Sequence, residues 1–276
     1  MNIRRFPTIV RYGLTFLLLC PYIYPQMKTN LGKKPPLKTV ADIPLPGPAV
    51  RFDYQSLDPT TSWLYIAHMN ADHLVLFDTA SRRVLANIGG FSRVHRVWVV
   101  PEIERLFASL TGGNEVAAFD TQTLRTVARI GPITYPDGIA FAPGPNRVFV
   151  SDEHGNADAV IDAQTYNLIK KIPLGGGAGN TVYDPTAKRI RVAVHEKNEI
   201  AAIDPQKLEI IGHYPVPGVK EPHGIALDVA NQLAFVAGVD NHTLALIDLT
   251  SMKTLGTARR LRRSENASGL LSAGKH

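Results

Sequence analysis

The chain is short of cysteine, of long apolar runs and of any sustained helical period. Each shortage closes off a class of protein. Its one cysteine, Cys20, lies near the N-terminus, so the rest of the chain gains no disulfide stabilisation and holds no thiolate metal set. The longest apolar stretch, Tyr12–Tyr24, has 13 residues, against about 20 needed to cross a bilayer. Beyond that stretch no segment keeps the 3.6-residue apolar repeat of an amphipathic helix, which argues against a helical bundle and an α/β sheet. Basic charge is also missing where it would matter. The net charge is +6, but residues 1–35 carry +6 and residues 253–276 carry +5, which leaves −5 on residues 36–252. A mildly acidic body has no clustered Lys and Arg to hold a phosphate backbone, so nucleic acid is not its expected partner.

The first 35 residues read as a targeting segment. Arg4, Arg5 and Arg11 precede the apolar stretch, the order of a secretory signal. No A-x-A-like cleavage site follows, so two readings stay open: export to the periplasm or exterior, or an uncleaved membrane anchor. The body itself has no membrane signal. Residues 258–276, basic and rich in Ser and Gly, read as a disordered tail.

The body is a repeat. Asp78, Asp120, Asp162, Asp204 and Asp248 each close a short apolar run, as in "EVAAFDTQT" and "EIAAIDPQK", at spacings of 42, 42, 42 and 44 residues. Turn formers divide each unit into four short β segments; the third unit reads "GIAFAP", "RVFVS", "DAVID", "NLIKKIPL". The repeated aspartate is expected to accept amide hydrogens of the turn that follows it. Four-stranded units of this length are the blades of a β-propeller, an all-β fold of the kind WD40 repeats build.

The wording of the units is more specific. "LYIAHMNADHLVLFDTASRRVLANI" and "VFVSDEHGNADAVIDAQTYNLIKKI" resemble the YVTN repeat of the YncE-like family of exported β-propellers, over residues 37 to 255. The resemblance implies a seven-bladed ring. Five full units stand in residues 36–257, preceded by "PLKTVADIPL", which matches the fourth-strand segments and is expected to be a closing strand. The expectation is therefore a truncated member with an incomplete ring, with a compact five-bladed ring and a redundant N-terminal strand as the rival reading, and a monomer.

Aligning the units puts Asp53, His95, Asp137, Gly179 and His223 in one column at the start of the innermost strand. The hairpins between second and third strands belong to the same face and add His68, Asp152, Glu153, His154, His195 and His242. Asp53, His95, Asp137, His223, His154 and His195 are thus the candidates for a ligand face. Imidazole with carboxylate can bind a metal or pair as acid and base. None of these residues stands at H-x-H or H-E-x-x-H spacing, so no metal site and no cofactor is read from the sequence. Two uses of the face remain: a non-catalytic binding protein for a small ligand or partner, and a metal-assisted hydrolase or lyase of lactonase type. The loop "PLGGGAGN", residues 173–180, leads to no helix and reads as a blade connection. In "FSRVHRVWVV", Trp98 is expected to pack between blades, with Arg93 or Arg96 toward solvent or an anion.

Overall fold

Short apolar runs with β-branched residues, cut every six or seven residues by Asp, Asn and Gly, favour antiparallel meanders over any other element. The computed structural model describes residues 38–259, which hold 20 strands and two single-turn 3-10 helices. The chain divides into two units, Met1–Asp42 and Ile43–His276, and all the strands lie in the second. They form five four-stranded sheets, each a simple up-and-down meander in chain order. These blades span residues 55–89, 94–130, 136–173, 178–215 and 222–259. The targeting segment and most of the tail lie outside the described residues. Of the expected closing strand, residues 38–45 form no strand. All five sheets already have four strands, so none has a place for it.

The repeated aspartates do what their position predicts. Asp120 Oδ1 accepts from the amides of Gln122 (3.0 Å) and Thr123 (2.7 Å). Asp162 does the same for Gln164 and Thr165, and Asp204 for Gln206 and Lys207. These amide bonds favour the ionised form and hold the three carboxyls below the ordinary range.

Four apolar cores fill the four gaps between successive blades. Phe91 and Phe119 meet edge to face in the first, and Phe149 is wholly buried in the third. A side chain buried to that degree contributes about 2–3 kcal/mol. The second and third strands of the three middle blades are buried almost without a break, because both faces of each sheet are covered. The fifth blade differs. Its strands Leu233–Gly238 and Thr243–Asp248 alternate, and Phe235 and Leu244 are exposed. One face of this sheet has no neighbour among the described residues, as in a ring left incomplete at that edge.

Candidate functional site

The innermost strands carry an irregularity at one position. In blades two to five the pairing of the first strand with the second slips, between Val94 and Val97, Pro136 and Ile139, Ala178 and Thr181, and Pro222 and Gly224. A bulge frees residues from the ladder and re-aims their side chains. Here it frees His95 and Arg96, Asp137 and Gly138, Gly179 and Asn180, and His223. Asp53 and Tyr54 hold the matching place in blade one, bracketed by backbone bonds to Ala67. Buried serines secure two of the bulges. Ser109 Oγ accepts from the Arg96 amide (2.8 Å) and donates to the Asp137 carbonyl (2.7 Å), tying blade two to blade three. Ser151 Oγ accepts from the Gly138 amide (2.6 Å).

The freed residues line two spaces. Asp53, His95, Asp137 and His223 reach a cavity of 440 Å³, together with Arg51, Tyr135, Glu153, His195 and Glu221. Blade four contributes Gly179 to the column, and its titratable group arrives instead from its hairpin as His195. The glycine is required there. A Cβ on residue 179 would stand 2.8 Å from His223 Cα and 3.0 Å from His195 Nε2. Each of the five blades therefore supplies at least one titratable side chain.

A chain of polar contacts joins them. His95 Nδ1 lies 3.2 Å from Asp53 Oδ2 and 3.6 Å from Asp137 Oδ1, and His223 Nε2 lies 3.4 Å from Asp137 Oδ2. His195 Nε2 and His223 Nδ1 share a hydrogen bond of 3.0 Å. Burial pushes the His95 imidazole down, but Asp137 and Asp53 override it and raise it to about 9, so it is cationic at neutral pH. Burial and the neighbouring His223 push His195 the other way and keep it neutral. Asp137 Oδ1 has no hydrogen-bond partner, although only 5% of the side chain is exposed; His95 is too far for more than an ion pair.

The second space, 690 Å³ and mostly apolar, is lined by Tyr54, Arg96, Trp98, Phe141, Asn180 and Leu227 among others. Tyr54 belongs to both. Its hydroxyl accepts from Asn180 Nδ2 (2.6 Å), and the Arg96 guanidinium lies 4.5 Å above its ring. Burial lowers the Arg96 pKa and raises that of Tyr54.

Of the six expected face residues, Asp53, His95, Asp137, His195 and His223 come together. His154 does not line the cavity: it is the exposed tip of its hairpin, with its ring 4.2 Å from that of Tyr135. His68 is buried elsewhere, stacked on Phe52 and bonded to the Pro48 carbonyl. Asp152 is structural, accepting from the amides of Tyr135 and Gly155 and from Lys171. The Gly-rich loop presents no free anion site at Gly177, whose amide donates to Glu196 (2.6 Å). Arg93 is exposed, as expected of one of the two arginines, while Arg96 lies over the ring of Tyr54. Trp98 packs between blades two and three, as expected, and also lines the second space. Sequence reasoning missed Tyr54 and Asn180, and assigned Arg96 only to solvent or an anion. Aligning the residues just after the column would have found them.

No protein-family model matches the chain, and no curated protein does. Solved structures do. The chain is similar to the WD40 repeats of RRP9, with a TM-score of 0.66 and 13% identity over 78% of this chain and 65% of that one. It is similar to the dihydro-heme d1 dehydrogenase NirN in complex with DHE, with a TM-score of 0.59 and 17% identity over 78% of this chain and 49% of that one. For hydrazine synthase of Kuenenia stuttgartiensis the TM-score is 0.58 and the identity 14%, over 71% and 76%. At such identities the likeness establishes the fold alone. The protein is a β-propeller with a polar, titratable cavity where its inner strands begin.

Proposed function

We propose that the protein is a non-catalytic binding protein of the YncE-like kind, acting outside the cytoplasm, whose polar cavity takes a small cationic ligand. The observation that carries this is the convergence of titratable side chains from all five blades on a single 440 Å³ cavity. Asp53, Asp137, Glu153 and Glu221 face Arg51 and the His95 imidazolium there, four carboxylates against two cations. The deficit is what a cation would fill, and the buried Asp137 oxygen that makes no hydrogen bond is where it would find an acceptor. The YVTN wording supports the family, and the basic-then-apolar N-terminus supports export. The second use of the face, metal-assisted hydrolysis, has one observation in its favour, the proximity of Asp137, Glu153 and His223.

The test is thermal unfolding of the full chain near pH 7 with small cations (putrescine, tetramethylammonium, divalent metals) and with acetate and phosphate. A saturable rise in Tm is expected with cations only, and Asp137→Asn should abolish it. A response to the anions alone, or to nothing in the panel, would overturn the reading.

A further inference from the structure

We infer that the cavity is a mononuclear site for a divalent first-row transition metal, with Asp137, Glu153 and His223 as ligands and His195 orienting His223. This deepens the binding reading above and rests on it. One ligand atom from each of the three residues lies within 4.8 Å of the other two. His223 Nε2 and Asp137 Oδ2 are 3.4 Å apart. Two ligands about 2.05 Å from one tetrahedral ion stand about 3.3 Å apart, so this pair already has the span of a coordination edge. The third ligand, Glu153, stands on a half-buried hairpin position, with a carboxylate oxygen within 4.8 Å of the other two ligand atoms.

An independent observation points to a ligand at the same place. Asp137 Oδ1, the other oxygen of the same carboxylate, is buried and makes no hydrogen bond among the described residues, its charged neighbour being His95 Nδ1 at 3.6 Å. That ion pair without a hydrogen bond only partly offsets the lost hydration, and a bound cation would complete it. The surroundings also suit a metal-bound histidine. His223 Nδ1 is held by His195 Nε2 at 3.0 Å. With the proton on Nδ1, donated to His195, the Nε2 lone pair is left toward Asp137. Fixing a ligand's tautomer through its other nitrogen is the usual work of an outer-shell residue. Gly179 supports the arrangement, since any side chain there would displace both histidines.

One imidazole and two carboxylates suit zinc, manganese or iron better than calcium or magnesium, which take oxygen ligands almost throughout. Three protein ligands also leave at least one coordination position open to the cavity, where a water or small molecule would sit. The three residues come from blades three and five, Asp137 and His223 standing 86 positions apart, so no local motif announces them.

The experiment uses the full chain, stripped with chelator and titrated calorimetrically with zinc chloride, with cobalt(II) absorption as a second reading. One zinc per chain is expected, with micromolar or tighter affinity, and cobalt should show the visible bands of a four- or five-coordinate ion. Glu153→Gln, at a half-exposed position that should not disturb folding, is expected to weaken zinc at least tenfold. His195→Phe should weaken it about 10–100-fold. His154→Ala, outside the cavity, serves as the control for adsorption to surface histidines. Absence of stoichiometric zinc, or zinc binding indifferent to both Glu153→Gln and His223→Gln, would overturn the assignment. If organic cations then still bind in an Asp137-dependent way, only the metal assignment falls; if they do not, the binding reading falls with it.

Discussion

Asp158 should make the propeller lose stability as pH rises, and replacing it with Asn should remove the loss. It lies on the strand Ala157–Asp162 with no exposed surface. One oxygen accepts from Thr181 Oγ1 at 3.3 Å; the other has no partner. Burial pushes this carboxyl up from 3.8 to about 8, and the single Thr181 bond opposes it weakly. A raised folded-state pKa means the folded chain holds a proton that the unfolded chain has released. The stabilisation is therefore fully present below about pH 3.8 and drains away as pH climbs toward 8. Each unit of that window costs about 1.4 kcal/mol for one proton. By pH 7 the penalty is on the order of 4 kcal/mol, a large part of the 5–15 kcal/mol a domain has. Asn has the same shape and no proton to take up. Urea unfolding of wild type and Asp158→Asn from pH 4.5 to 9 should show the variant gaining on the wild type at about 1.4 kcal/mol per pH unit, then levelling above pH 8. A difference independent of pH would refute the reasoning, since it would mean that Asp158 ionises alike in both states.

Three further substitutions probe the scaffold of the site. Gly179→Ala should destabilise by about 1–3 kcal/mol and abolish ligand binding, because the added methyl strikes the His223 backbone; denaturant melts and calorimetry read both. Ser109→Ala should cost about 1–3 kcal/mol in urea melts, by leaving the Arg96 amide and the Asp137 carbonyl without their shared hydroxyl. Tyr65→Phe should not destabilise and should gain up to about 1 kcal/mol, since the buried Tyr65 hydroxyl has no partner; a loss above about 1 kcal/mol would show that this hydroxyl is satisfied after all.

The blades were legible because their punctuation is local. An aspartate that caps its own turn leaves a mark every 42 residues, whatever the rest of the chain does. The inner column was legible for the same reason, since one register relates all units. What lay beyond register was not. His68 and His195 occupy equivalent hairpins, yet the irregular segment before blade one covers His68 through Phe52 and Pro48. His195 stays in the cavity because blade four has a glycine in the column. Glu153 and His154 are adjacent in sequence, and only the path of the hairpin decides which faces the cavity. The second space depends on the bulge, which turns Arg96 onto Tyr54 against the simple alternation of a strand.

The bulges also bear on how this surface could change over generations. Residues outside the ladder contribute no cross-strand pairs, so, Gly179 aside, replacing the side chain of one alters what the cavity recognises without unpicking the sheet beneath it. Blade four illustrates the exchange: its column position is Gly179, and His195 from its own hairpin occupies the space instead. A fold built this way separates the side chains that hold the sheets from those that face the cavity, so specificity could be altered one blade at a time.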